Sequence, residues 1–296
     1  MNRHLITLLR PHQWLKNIFV LMPLFFGGYA AEWDYVRPGL LACLAFCLAA
    51  SGVYCFNDIH DVASDRLHRE KRLRPIACGS VSIRAAYAAM AVVWALAFAL
   101  VALDCLISHT SRTGLAVTLL FYIVMNVGYC VKLKHIAILD VFVIATGFVL
   151  RIVAGGAAMG IVLSHWIVLT TFLLALFLAL AKRFDDVAIY DASGLKTRES
   201  VGRYNMAFLG VAVCMLGSVT IMCYILYTVS DNVVERIGSP YLYATSVFVV
   251  AGILRYLQLA LVDHRGGSPT QVLLHDRFVQ ACVIGWLATF AVILYI

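Results

Sequence analysis

The chain has 296 residues, of which 62% are hydrophobic and only 13% charged, and its mean hydropathy is +0.89. A soluble globule carries about twice that share of charge, so the composition excludes a soluble domain and indicates a polytopic membrane protein. The net charge of +7 has no soluble basic domain to occupy, which argues against nucleic acid and leaves anionic lipid headgroups or a phosphorylated substrate as its counterpart.

Apolar runs long enough to cross a bilayer fall at about 15–31, 38–56, 82–103, 114–131, 136–154, 165–181, 205–228, 240–262 and 278–296. They predict an all-α bundle of nine transmembrane helices forming a single transmembrane domain over 1–296. Arg3 and Arg10 precede no small-residue cleavage site, so no removable signal peptide is expected. Lys and Arg crowd into alternate loops, which predicts a cytoplasmic N-terminus and an outside C-terminus in the cell inner (plasma) membrane. Nine scattered cysteines with no Cys-x-x-Cys pair read as packing residues, not as disulfides or a zinc site.

In chain order, the first span opens with Leu9-Arg10-Pro11-His12-Gln13-Trp14-Leu15-Lys16-Asn17. Pro and Trp fit a membrane anchor, whereas Lys16 and Asn17, a turn inside the apolar boundary, fit either snorkelling or a polar cavity.

The second span runs into the most polar stretch, from Asn57 to Pro75, with a cytoplasmic acidic and basic loop expected over 57–81. If the helix continues, Asp58, Asp61 and Asp65 stand at i, i+3 and i+7 and share one face. Asp58 and Asp65 would then lie roughly 10 Å apart, too far to share one ion but well placed around one or two. Hard oxygens from Asn57, Asp58, Asp61 and Asp65 select Mg²⁺, which leaves coordination positions to phosphates. Arg66, Arg69, Lys71, Arg72 and Arg74 follow as phosphate-binding cations. The bland alternative, a solvated positive-inside loop, explains the arginines but not three aspartates in helical register.

Ser80 and Ser82 are expected to cap the third span. The fourth ends in two lysines, Lys132 and Lys134, and Asp140 in the fifth needs a partner, for which either lysine is available. Arg151, in Val-Leu-Arg-Ile-Val-Ala-Gly-Gly, reads as a cavity-lining group or, preferably, the outer end of a tilted helix. The sixth span exits into a second acidic and basic loop over 182–204, with Lys182, Arg183, Asp185, Asp186 and Arg198. The last cytoplasmic loop holds a Gly-Gly-Ser-Pro turn and an Asp276-Arg277 pair that reads as structural.

With Asn57-Asp58-x-x-Asp61-x-x-x-Asp65 after the second span and another acidic loop after the sixth, the chain resembles the UbiA superfamily of intramembrane prenyltransferases. The resemblance implies nine helices around a central cavity, with both acidic motifs on cytoplasmic loops holding Mg²⁺ and a diphosphate. It is closer to the decaprenyl-phosphate phosphoribosyltransferase family, on Arg10-Pro-His-Gln-Trp-Leu-Lys-Asn17, Lys71-Arg-Leu-Arg-Pro-Ile-Ala-Cys-Gly79, Tyr129-Cys-Val-Lys-Leu-Lys-His135, Arg151-Ile-Val-Ala-Gly-Gly156, Lys182-Arg-Phe184 and Leu274-His-Asp-Arg277. The second motif departs: that family's aromatic-x-Glu-x-x-His becomes Phe184-Asp185-Asp186-Val-Ala188, which lacks the His.

The resemblance implies Mg-dependent transfer of 5-phosphoribose from phosphoribosyl diphosphate (PRPP) to a polyprenyl phosphate lipid, for cell-envelope glycan precursors. Asp58, Asp61 and Asp65 would be catalytic. Lys71, Arg72, Arg74, Lys182, Arg183 and Arg198 would bind the donor's phosphates, and Asp186 a metal or hydroxyl. Lys16, Asn17, Lys132 and Lys134 would hold the lipid phosphate or the diphosphate. The alternative within the fold joins a prenyl diphosphate to an aromatic acceptor. A transporter would place its charges near the midplane on broken helices, not at the surface. A homo-oligomer is left open.

Overall fold

The computed structural model describes residues 3–67, 71–110, 112–193, 202–263 and 266–295. Arg198 lies outside the described residues. Among them all regular structure is helical, as lipid demands of a chain that must satisfy its backbone groups internally. In chain order the α-helices are α1 (Arg3–Leu9), α2 (Met22–Phe26), α3 (Trp33–His60), α4 (Val62–Leu67), α5 (Ile83–Ser108), α6 (Thr113–Val131), α7 (Leu139–Met159), α8 (His165–Ser193), α9 (Met206–Thr228), α10 (Asp231–Ile237), α11 (Ser246–Leu261), α12 (Pro269–His275) and α13 (Arg277–Tyr295).

Among the described residues, eight helical segments are long and apolar enough to cross a membrane. The count of nine was therefore approximate. The first expected span is not one helix: a 3₁₀ segment, Pro11–Leu21, passes directly into the short α2. Runs of 3₁₀ beyond a few residues are uncommon, so eleven residues of it call for outside support.

The chain divides into two compact units, Met1–Lys134 with Gly147–Leu163, and His135–Thr146 with Ser164–Ile296. In the first, α3 presents Ala42, Ala45 and Ala49, buried at helical spacing, and packs chiefly on α5 and α6. Gly52 lets the Trp94 indole lie against α3, where a Cβ would meet Nε1 at 2.2 Å. A smaller apolar cluster of Leu8, Cys55, Ile59, Ile76, Val81 and Ala86 sits beside the first acidic stretch. It fastens α1 and the 71–81 turn to the end of α3, which gives the flanking cations fixed positions.

The second unit is built on α8, α9, α11 and α13. Inside it, Trp286 Nε1 donates to Tyr224 Oη at 2.6 Å, and that hydroxyl lies 2.6 Å from Thr245 Oγ1. The predicted cap holds, since Ser82 Oγ accepts from the Ala85 amide at 3.2 Å.

Candidate active site

The α3 helix does not continue through the acidic stretch. It stops at His60, Asp61 takes φ −90° and ψ 3°, and α4 begins at Val62. Two i to i−4 hydrogen bonds nevertheless bridge the break, from the Asp61 amide to Asn57 O and from the Asp65 amide to Asp61 O. Helical register survives the kink, so Asp58 and Asp65 still share a face. Both are almost fully buried, at 1% and 3% exposure, while Asn57 and Asp61 are half-buried.

Arg74 closes this face. Its Nη1 lies 3.1 Å from Asp58 Oδ1 and 2.7 Å from Asp65 Oδ2, so the two oxygens are separated by no more than the sum of those distances. The expected separation of roughly 10 Å is the spacing of the residues along the helix axis, and the carboxylate oxygens come closer than that because the side chains lean toward Arg74. The turn around Arg74 is set locally: its amide donates to Lys71 O, the Cys78 amide donates to Arg74 O, and Pro75 and Ile76 are buried beneath. Gly79, at φ 78°, takes the left-handed conformation that turns the chain toward α5. Lys71 is half-buried, and Arg72, next to it on the 3₁₀ turn Lys71–Leu73, is exposed.

Two further cations reach the carboxylates. Lys134 Nζ lies 2.5 Å from Asp61 Oδ1, with His60 Nδ1 3.2 Å from the same atom. Burial pushes the Asp61 carboxyl up, but the hydrogen bonds from Lys134 and His60 outweigh it and hold the group below the usual carboxylate range. For Asp65 the balance is reversed: burial outweighs Arg74 and pushes its carboxyl up. Arg10 Nη2 lies 2.6 Å from Asp58 Oδ1, with its guanidinium over the Tyr54 ring at 5.1 Å. Arg10 adopts φ 52° immediately before Pro11, a conformation rare for a non-glycine residue. Sequence reasoning missed Arg10 as a site residue, although its place before a helix-opening proline was a signal.

The same unit buries Asn17 and Arg151. Asn17 is fully enclosed, donates Nδ2 to Cys47 Sγ at 3.3 Å and accepts Arg151 Nε at 2.7 Å. Arg151 is buried, which corrects the expectation that it marks the outer end of a tilted helix. Lys16 is half-buried and Lys132 exposed.

In the second unit, Arg183 is the most deeply placed cation, 1% exposed. It donates Nε to Asp140 Oδ2 at 2.9 Å and Nη1 to Asp186 Oδ2 at 2.5 Å. Tyr204 Oη donates to Asp140 Oδ1 at 2.9 Å and accepts the Ile138 amide at 2.6 Å, which holds Ile138 at φ 70°. Asp140 is therefore paired with Arg183 inside its own unit, a partner that the sequence did not suggest. The Arg183 fork is already occupied by two carboxylates and fixes Asp186 more directly than it can reach a phosphate. Lys182 is half-buried beside it. A cavity of about 680 Å³ is lined by Asp185, Asp186, Gly267, Ser268, Gln271 and His275. Asp276 pairs with Arg255 at 2.8 Å and caps α13 through the Val279 amide, a structural role.

The first cluster suits a divalent cation. Asp58 Oδ2 is buried with no hydrogen-bond partner, an orphaned acceptor of the hard oxygen kind that Mg²⁺ takes. Among the described residues no three acidic, His or Cys side chains stand close enough to hold a metal unaided.

A helical membrane chain ending its first long span in such a carboxylate and cation cluster is the architecture of an intramembrane transferase, the class to which the sequence comparisons assign it. The sequence matches the UbiA prenyltransferase family over residues 20–294, and the chain belongs to that family. It is 34% identical to the decaprenyl-phosphate phosphoribosyltransferase of Mycolicibacterium smegmatis, covering 98% of this chain and 92% of the other. It is 33% identical to the same enzyme of Corynebacterium glutamicum, with coverage of 99% and 87%. Its fold is similar to that of a UbiA homolog from Archaeoglobus fulgidus bound to GPP and Mg²⁺, at a TM-score of 0.68 and 19% identity over 99% of this chain and 100% of the other.

Proposed function

We propose that the chain transfers a 5-phosphoribosyl group from PRPP to a polyprenyl phosphate and releases diphosphate. The observation that carries this is the Asp58, Asp65 and Arg74 cluster, in which buried carboxylates and a guanidinium alternate and Asp58 Oδ2 is left open. Similarity to two decaprenyl-phosphate phosphoribosyltransferases over nearly the full chain favours a sugar diphosphate as donor.

Asn57, Asp58, Asp61 and Asp65 would hold Mg²⁺, which when bound supplies a Lewis acid and a template for the diphosphate. Arg10, Arg74 and Lys134 now neutralise those carboxylates and are the cations available to phosphate oxygens once metal takes over that task. Lys71 and Arg72 extend the positive surface for the donor. A lipid-phosphate oxygen forms the new bond to ribose C1 as the bond from C1 to the diphosphate oxygen breaks, the electron pair leaving with diphosphate. The attacking group is already an anion and needs no general base, so positioning and charge neutralisation supply most of the catalysis. Lys16 and Lys132 are proposed contacts of the lipid phosphate. Lys182, Asp186 and Arg198 are proposed substrate-binding residues of the second unit, with Arg183 fixing Asp186. The distribution of basic loops favours the cytoplasmic side of the plasma membrane for the acidic stretch.

The test is product identification. Purified protein is given polyprenyl phosphate, Mg²⁺ and labelled PRPP in one reaction, and a prenyl diphosphate with an aromatic acid in another. Labelled lipid in the first and no prenylated acid in the second is expected, and the reverse pattern would overturn the assignment.

A further inference from the structure

Arg151 carries a full charge into the interior of an apolar helix, where an unpaired ion is costly. At about 1.5 Å per residue it lies roughly 18 Å along α7 from Leu139. No carboxylate lies within ion-pair distance of it among the described residues. Its donors go to neutral groups: Nε to Asn17 Oδ1 at 2.7 Å, Nη1 to Gly147 O at 2.7 Å and Nη2 to Tyr122 Oη at 3.0 Å. The Tyr122 and Phe148 rings lie against the guanidinium at 4.9 and 5.4 Å.

One helical turn along the same face, Gly155 completes the contact. A Cβ there would stand 1.9 Å from Val20 O and 2.9 Å from Val20 C, so only glycine lets the α7 backbone touch the 3₁₀ segment. Arg151 thus holds that segment at Asn17 and Gly155 seats it at Val20, while Phe19 packs edge-on against Phe148 at 5.1 Å. From the α3 side, Cys43 Sγ donates to Asn17 O at 3.3 Å and Trp14 Nε1 donates to Ser51 Oγ at 3.0 Å.

The gripped segment begins where Arg10 meets Asp58. A 3₁₀ helix rises about 2.0 Å per residue and an α-helix about 1.5 Å, so its eleven residues would shorten by about 5 Å if released to α-helical geometry. That is more than enough to withdraw Arg10 from Asp58. We propose that Arg151 and Gly155 are positioning residues: they clamp the overwound Pro11–Leu21 segment so that Arg10 is delivered to the carboxylate cluster. The inference rests on the proposed diphosphate site but not on the identity of the group that the diphosphate carries.

The test measures binding of inorganic diphosphate with Mg²⁺ to full-length protein in detergent, for Arg151→Met, Gly155→Ala, Arg10→Ala and the Arg151→Met/Arg10→Ala double variant. Each single variant should bind about tenfold more weakly, and the double no more weakly than the weaker single. Arg10 and Arg151 hydrogen-bond to different partners, and independent lesions at sites without a shared partner multiply. Roughly hundredfold weakening in the double, or wild-type binding by Gly155→Ala, would overturn the clamp. Gly155→Ala keeps the buried charge and serves as the test if Arg151→Met does not fold. Binding of diphosphate but not PRPP by the wild type would instead remove the phosphoribosyl assignment and leave the clamp standing.

Discussion

Arg74 uses a single nitrogen, Nη1, to join Asp58 at 3.1 Å and Asp65 at 2.7 Å across the break at Asp61. Asp65 is pushed up by burial despite that contact, so ionising it costs free energy in the folded protein. The sign for stability follows. A carboxyl with a raised folded pKa stabilises most at low pH, and the contribution is lost as pH rises through the folded value. Catalysis runs the other way, because a metal ligand must be ionised. The acid limb of the kcat/KM profile should therefore fall at a pH above about 4, the ordinary carboxylate value. Arg74→Gln, which removes the lowering charge, should move that limb to higher pH still. A limb that stays in place in Arg74→Gln would contradict the assignment.

Metal dependence follows from the donor set. Activity should vanish in EDTA and return with Mg²⁺ or Mn²⁺, with zinc a poor substitute for hard oxygen ligands. Full turnover in chelator would rule out the metal role of the first motif.

Asp61 is held ionised by Lys134 and His60 and stands between the other two carboxylates. Asp61→Asn keeps the shape and removes the charge. Turnover should drop at least a hundredfold, about 2.7 kcal/mol, with the protein still folded by gel filtration in detergent. Near-normal turnover would return the stretch to an ordinary cationic loop.

The Arg183 and Asp140 pair is buried on both sides, at 1% and 0% exposure. Removing Arg183 strands the buried Asp140, so Arg183→Met should cost roughly 3–5 kcal/mol in unfolding free energy, and Asp140→Asn less, because Asp186 still pairs with Arg183. Because no buried Asp140 charge is then left behind, Arg183→Met with Asp140→Leu should cost less than Arg183→Met alone. Thermal unfolding in detergent checks both statements, and additive losses in the double variant would show that the pair does not act as a unit.

The membrane class and the first acidic motif were legible because hydropathy and helical spacing are local properties. Register alone put Asp58 and Asp65 on one face, and it survived the break because hydrogen bonds from the Asp61 and Asp65 amides carry it across. What failed was pairing at long range. Lys134 goes to Asp61, 73 positions away, and Arg183 to Asp140, 43 positions away, so nearest-in-sequence reasoning found neither pair. The buried place of Arg151 was hidden for the same reason, since its partner Asn17 is 134 positions distant. The 3₁₀ course of the first span left no mark in composition, because the contacts that hold it come from α3 and α7.

The donor-side cations give the most direct test of phosphoribosyl transfer. Calorimetric titration of wild type, Arg72→Ala and Arg74→Ala with PRPP and, separately, with polyprenyl phosphate measures both substrates on the same protein. Each lost charge-assisted contact is worth about 1.5–3 kcal/mol. PRPP should bind roughly ten- to hundredfold more weakly to both variants while polyprenyl phosphate affinity stays within about twofold. Weakening confined to the isoprenoid ligand, with no binding of PRPP by the wild type, would contradict the assignment.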